Sequence, residues 1–404
     1  MLIFAKQNHN ALDTIRLLFV ALLLVGTSQL SKAQRTDQIQ VPIVTAVPFL
    51  TYSPDARSAS LGFTGVATSP DAFSMYYNPA KYAFLENEHT MLASGFNTYT
   101  GSLSQNRIML HGVFAQKFAH SALAATMRYT FGDKIYVTTP DSPVPFAFRP
   151  MDWAFDVAYS HCFSEYLSAG IAGRYIHSNV ASLSGSDKKT SSIAADVSVY
   201  YKHPLGNLVD LSLGATVANI GGKMDYAAEW DCVRSFIPTT LRTGVGFKFN
   251  FHPKNTLTFN LEFSKLLVPT PPIRFAHGSI LYGFDDNVSV FRGMFQSFYD
   301  ASGYAFDYST NDYEYVGVFY QELHEISTGF GLEYSLADCF FARSGMHFSA
   351  KSAGSDICLT EGVGMHFGIF GMDVSYYYCL RNSDYYNMGQ SWQGILRWDM
   401  YFAF

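Results

Sequence analysis

Apolar and polar residues alternate strictly along much of this chain. Around Trp153 the positions Trp153, Phe155, Val157, Tyr159 and Phe163 are large and apolar, while Asp152, Ala154, Asp156, Ala158 and Ser160 are small or acidic. Near residue 260 the split is cleaner, with Leu257, Phe259, Leu261 and Phe263 set against Thr258, Asn260, Glu262 and Ser264. A sustained period of two marks a strand with one apolar and one polar face. A soluble sandwich would show the same alternation with its apolar face inward. Many of these runs, however, reach about ten residues, the length a tilted strand needs to cross a bilayer.

The alternation predicts strands at 89–97, 105–117, 121–131, 151–163, 166–177, 190–203, 208–221, 239–250, 255–266, 322–336, 338–349, 356–368, 369–380 and 392–404. That is an all-β chain of about fourteen strands, and bacterial single-chain barrels have even strand numbers. The connections sort by parity. Those after even strands are tight, as at Phe118-Ala119-His120 and Asn250-Phe251-His252-Pro253-Lys254, whereas 132–150, 178–189, 222–238, 267–321 and 381–391 follow odd strands. Short periplasmic turns alternating with longer external loops are expected of a transmembrane antiparallel barrel. In the last strand Leu396, Trp398, Met400, Phe402 and Phe404 form an apolar stripe, which resembles the signal that delivers outer-membrane barrels to their assembly machinery.

The first residues bear on the compartment. Lys6 and Arg16 precede the apolar run Leu17–Gly26, and Ser31-Lys32-Ala33 follows. A basic start, a short apolar run and an A-x-A-like site predict a cleaved signal peptide over 1–33 and a mature chain from Gln34. Composition agrees with a barrel: 16% of the 404 residues are aromatic and only 15% charged, against roughly 25% charged in globular domains. Loss of Lys6, Asp13, Arg16 and Lys32 with the leader would move the net charge from −6 to −8. An acidic balance argues against nucleic-acid binding, which needs a basic face. The five cysteines, Cys162, Cys232, Cys339, Cys358 and Cys379, are scattered. They leave room for one disulfide but show neither a disulfide framework nor a zinc-like spacing.

Residues 34–88 break the alternation. Pro54-Asp55-Ala56-Arg57, Gly65-Val66-Ala67-Thr68-Ser69-Pro70-Asp71-Ala72 and Tyr77-Asn78-Pro79-Ala80-Lys81-Tyr82-Ala83-Phe84 are rich in turn residues. Irregular backbone is tolerated at membrane depth only inside a barrel, so 34–88 is expected to be an N-terminal plug and 89–404 the barrel. Asn78, Pro79 and Ala80 are the plug motif, with packing of a turn as the simplest role. These stretches resemble the N-terminal signature of the PorV/PorQ family, relatives of the FadL fatty-acid transporters. Asn219-Ile220-Gly221 with Phe236-Ile237-Pro238-Thr239-Thr240-Leu241-Arg242, Lys265-Leu266-Leu267-Val268-Pro269-Thr270-Pro271-Pro272 and Phe295-Gln296-Ser297-Phe298 are similar to further family segments in the same order. Two stretches depart from the pattern. Ser58-Ala59-Ser60-Leu61 replaces a more Gly-rich run, and 267–321 carries a long Tyr/Asp-rich stretch.

The resemblance implies an outer-membrane component of the Bacteroidetes type IX secretion system. Its implied partners are the translocon barrel, cargo proteins with a C-terminal signal domain, the surface attachment machinery and outer-membrane lipid. No cofactor, metal or catalytic group is implied. The loop 267–321 is the expected partner-binding element: Pro269, Pro271 and Pro272 stiffen its start, and Phe295, Phe298 and Tyr299 offer aromatic contact surface. Two rivals remain open. A FadL-like transporter of hydrophobic small molecules would need a continuous apolar passage. An outer-membrane lipid deacylase would need a gathered Ser, His and carboxylate, yet the sequence has no GxSxG, HExxH or P-loop. Among its twelve histidines, His111, His324, His347 and His366 stand apart in the chain.

Overall fold

The computed structural model describes residues 38–39, 43–85, 90–100, 106–139, 142–181, 187–225, 234–252, 254–307, 310–350, 357–381 and 391–403. The expected signal peptide, the terminal Phe404 and Cys232 lie outside them. Fourteen antiparallel strands close a barrel. They are β1 (Thr90–Thr100), β2 (Asn106–Phe118), β3 (Ser121–Gly132), β4 (Met151–Cys162), β5 (Leu167–Ala181), β6 (Asp187–Leu205) and β7 (Val209–Gly221). The second half is β8 (Thr240–His252), β9 (Asn255–Leu266), β10 (Ile326–Leu336), β11 (Phe340–Phe348), β12 (Ile357–Phe367), β13 (Phe370–Arg381) and β14 (Ser391–Ala403). Each strand pairs with the next in sequence, and β14 closes on β1 from Met91↔Ala403 to Asn97↔Arg397. Every expected strand is present.

The direction of the alternation excludes a sandwich. Along β4 the small and acidic residues point inward and are buried, whereas Phe155, Val157 and Tyr159 stand exposed on the outside. On β5 and β6 Ile171 and Ile193 are 60% and 72% exposed. A continuous apolar face of this kind would drive aggregation in water and is stable against hydrocarbon. The tight turns after β2, β6, β10 and β12 carry positive-φ residues: Ala119, Gly206, Ala337 with Asp338, and Gly368.

Strand ends shift by a few residues from the sequence expectation, and two differences change the architecture. The strand expected from residue 322 begins at Ile326, because Val318–Leu323 forms a short helix first. The long connection after β9 is also built rather than open: it contains a two-stranded ribbon (Ile273–Arg274 with Ile280–Tyr282) and the helix Val290–Gln296. Among the described residues a small separate unit comprises 38–39, 305–307 and 310–315. In it Gln38 and Ile39 pair with Asp307 and Phe306, so these two residues of the expected 34–88 segment join a three-stranded sheet. Cys358 and Cys379, directly opposed on β12 and β13, form a disulfide, and Cys162 and Cys339 are free.

Candidate functional site: the plugged lumen and the external loop

Residues from Val47 to Leu85 pack against the inside of the barrel, and the inner wall is shaped for them. Phe49, Leu50 and Val47 pack on Met109, Ala154, Ile176 and Ala194. Met75, Tyr82 and Leu85 pack on Ala115, Ala122, Ala124, Ala158 and Ala172. The wall residues are small because plug backbone passes close to them. A Cβ on Gly214 would overlap Val66, and one on Gly345 would overlap Gly62. Complete burial of side chains such as Phe49, Leu50 and Tyr82 contributes about 1.5–3 kcal/mol each.

The motif residues act as fasteners. Asp55 caps the helix Ala56–Ser60 (α1) by accepting from the Ser58 amide at 2.7 Å. Asn78 caps the 3-10 turn Pro79–Phe84, where Pro79 takes the first position and forfeits no hydrogen bond. The Asn78 side-chain amide donates to the carbonyls of Val66 and of Val199 on β6, both at 2.9 Å. The Ala80 amide donates to Ser198, and the Ser168 hydroxyl donates to the Ala80 carbonyl. Buried Lys81 donates to the Gly65 carbonyl and the Thr68 hydroxyl. The structure therefore joins all three motif residues to the wall or to the plug's own turn.

Charged side chains lock plug to wall and wall to wall. Arg57 on α1 pairs with Glu333 on β10 at 2.8 Å and with Asp71 at 2.9 Å, and Arg343 on β11 bridges Glu333 to Asp373. Glu262 on β9 accepts from the Gly65 and Val66 amides at 2.7 and 2.8 Å. Asp399 accepts from the Ala56 amide and lies 3.1 Å from His111. Asp152 and Asp156, on the polar face of β4, are buried. Asp156 is held by Arg174 and Thr126, and Asp152 by Ser178, because the plug and its neighbours displace water from this wall. Buried ion pairs roughly break even against desolvation. They fix the register of the plug, while apolar packing supplies the net hold. A cavity of about 10 Å3 beside Pro54, Phe73 and Arg128 has room for about one water.

Two family-like segments meet at a β-bulge. The pairing of β7 with β6 shifts between Val217 and Ile220, with Asn219 at φ 60°. The Asn219 amide side chain donates to the Pro238 carbonyl at 3.0 Å and accepts from Arg174. Arg242, at the end of the second segment, donates to the Tyr76 hydroxyl of the plug at 2.9 Å.

The connection after β9 is layered. Its inner layer is a polar clasp that residue spacing did not reveal. Lys265, at the end of β9, pairs with Glu322 at 2.9 Å and Glu325 at 2.6 Å. Thr270 donates to Glu325 through its hydroxyl and to Asp300 through its amide, and Glu322 accepts from the Ala301 amide. Burial pushes the Asp300 carboxyl up to about 7. Of the residues expected to bind a partner, Pro269 and Pro272 are buried and Pro271 is half-buried. Pro269 lies under Gly293 of the helix Val290–Gln296 (α2), so the prolines form a floor. Phe295, Phe298 and Tyr299 are exposed, and Phe291 joins them one turn from Phe295. On the helix Val318–Leu323 (α3) Phe319 and Leu323 repeat this spacing. The four histidines singled out from the sequence remain dispersed: His111 is buried in the lumen, His324 ends α3, His347 meets Phe63 and His366 meets Phe341.

Fold and site together define an outer-membrane β-barrel closed from within by its own N-terminal segment. The chain belongs to the family described as type IX secretion system protein PorV, whose model matches residues 34–273. No curated protein sequence matches it. Among solved structures it is similar to the CymD monoaromatic hydrocarbon channel, with a TM-score of 0.53, 11% identity and coverage of 87% of this chain and 98% of the other. It is also similar to the Pseudomonas putida toluene transporter TodX, with a TM-score of 0.51, 10% identity and coverage of 90% and 99%. At these identities the likeness is one of fold.

Proposed function

We propose that this protein is a plugged, membrane-anchored receptor of type IX secretion. It binds cargo carrying a C-terminal signal domain at the translocon and passes it to the surface attachment machinery. Nothing is catalysed in this reading; its chemistry is reversible recognition by the external connection after β9. The observation that carries it is the division of labour between lumen and loop. The lumen is occupied by a segment held through buried ion pairs such as Arg57–Glu333, whereas a conduit for hydrophobic molecules would need an apolar path. The connection leaves aromatics accessible on α2, on the turn after it and on α3 at Phe319, and large rigid rings supply most interface energy.

The test is affinity purification from a native host followed by mass spectrometry of the retained proteins. Cargo sharing a C-terminal domain, together with a large translocon barrel, is the expected result. Retention of neither, together with uptake of hydrophobic solutes by vesicles carrying the protein, would favour the transporter reading instead.

A further inference from the structure

The outward side chains of β10, β11 and β12 form cross-strand rows on the membrane-facing wall. Tyr334, Ala342 and Val363 are register neighbours in one row, and Phe340 and Met365 in the next row toward the short-turn rim. Ala342 is the small member among large ones. The wall therefore dips between Tyr334 and Val363, with Phe340 beneath, and the dip opens into a groove of about 280 Å3. Volumes of this size approach those of small-molecule sites.

Two features indicate what fills it. The groove lies on the bilayer-facing side of a spanning sheet, so only hydrocarbon can reach it. It is also near the short-turn end, the periplasmic end of outer-membrane barrels, where the available lipid is a glycerophospholipid. At that rim the Asp338 amide donates to the Lys254 carbonyl at 3.1 Å, which sets two exposed residues of opposite charge side by side. Neither side chain makes an ion pair among the described residues. Ala342 lies about four residues up β11 from Asp338, roughly 13 Å of strand. That places the groove in the acyl region when the rim is at headgroup level.

We propose that this groove binds one acyl chain of a zwitterionic glycerophospholipid, with its phosphate at Lys254 and its ammonium group at Asp338. Bulk lipid tails are as apolar as the wall, so selectivity comes from packing and not from hydrophobicity. An unfilled groove forfeits dispersion contacts along its whole lining.

The experiment uses the full chain in nanodiscs of phosphatidylethanolamine, doped with phosphatidylethanolamine bearing a diazirine in one acyl chain. Irradiation is followed by peptide mass spectrometry. Adducts around Ala342 and Val363 are expected to exceed those around Ile171 on the far wall by about fivefold, a preference of roughly 1 kcal/mol. Ala342→Phe fills the dip and should bring labelling down to the far-wall level. Ala342→Leu serves the same purpose if the larger ring impairs folding, which is read from heat-modifiable gel mobility. Lys254→Gln should lower the enrichment with the groove intact. Even labelling around the barrel, or enrichment that survives a folded Ala342 variant, overturns the site. Equal enrichment with a phosphatidylglycerol probe overturns the headgroup assignment.

Discussion

Arg57, in the first turn of the plug helix, and Glu333, on β10, are 276 residues apart in sequence and meet through two parallel hydrogen bonds of 2.8 and 2.9 Å. Glu333 also receives Arg343 from the adjacent strand at 2.6 Å. The carboxylate is therefore the shared centre of the lock between plug and wall, and its two guanidinium partners are not equivalent to it.

That asymmetry yields a ranked prediction. Glu333→Ala leaves Arg57 only Asp71 and Arg343 only Asp373, with the two guanidiniums facing each other in a buried site, and should cost up to about 3–5 kcal/mol, the penalty for breaking a buried pair. Arg57→Ala leaves Glu333 paired with Arg343 and should cost less. Urea unfolding of the barrel in detergent, followed by gel mobility, measures both. Equal losses would mean that Arg57 and Arg343 do not share the carboxylate.

Asn78 makes a second class of contact, one amide serving two carbonyls that belong to plug and wall. Asn78→Ala strands both, at about 1–3 kcal/mol for each buried unsatisfied group. The strands have their own pairing, so the barrel should still form in lower yield, with a looser plug and greater sensitivity to large antibiotics. Unchanged yield, permeability and secretion together would show the motif to be dispensable.

The barrel was legible in the sequence because strand periodicity and turn chemistry are local. Trp153, Phe155 and Val157 announce one face, and the parity of the loops announces the closure. The plug could be recognised as a non-strand segment for the same reason. Its fasteners could not, since Arg57–Glu333 and Glu262–Gly65 pair residues hundreds of positions apart, and one sequence carries no trace of such pairing. The Cys358–Cys379 bond likewise requires the register of β12 on β13. Helix α3 was hidden because its Val318-Phe319-Tyr320 start matches a strand as well as a helix turn. The clasp Lys265–Glu322–Glu325 was missed with it, although Lys265 stands first in the family-like proline segment.

The clasp should respond to pH, with a sign set by Asp300. Its carboxyl is raised from 3.8 to about 7 by burial, so the clasped loop holds a proton that the opened loop releases between those values. Stability that depends on this proton is full below about pH 4, falls as pH rises, and is lost above about pH 7. Burial also pushes Glu325 up, in the same direction. Amide exchange at Thr270, corrected for its intrinsic rate, should show stronger protection near pH 5 than near pH 8. Asp300→Asn should flatten most of that difference. Protection that increased with pH would contradict the assignment.

The exposed ridge on α2 separates the receptor reading from a simple lid. Phe291 and Phe295 are 68% and 72% exposed, so replacing both with Ser removes little packing and should leave barrel stability within about 0.5 kcal/mol of the parent. If the ridge is the contact for translocon or cargo, truncating each anchor costs about 2 kcal/mol or more of binding. Cells carrying the folded double variant should then retain cargo in the periplasm. If the connection only covers the barrel mouth, its inner clasp of Lys265, Glu322 and Glu325 is untouched and secretion should continue. Fractionation of cells expressing Phe291→Ser/Phe295→Ser, with barrel folding checked in the same samples, decides between the two. Normal cargo release from an assembled variant would remove α2 from the binding surface.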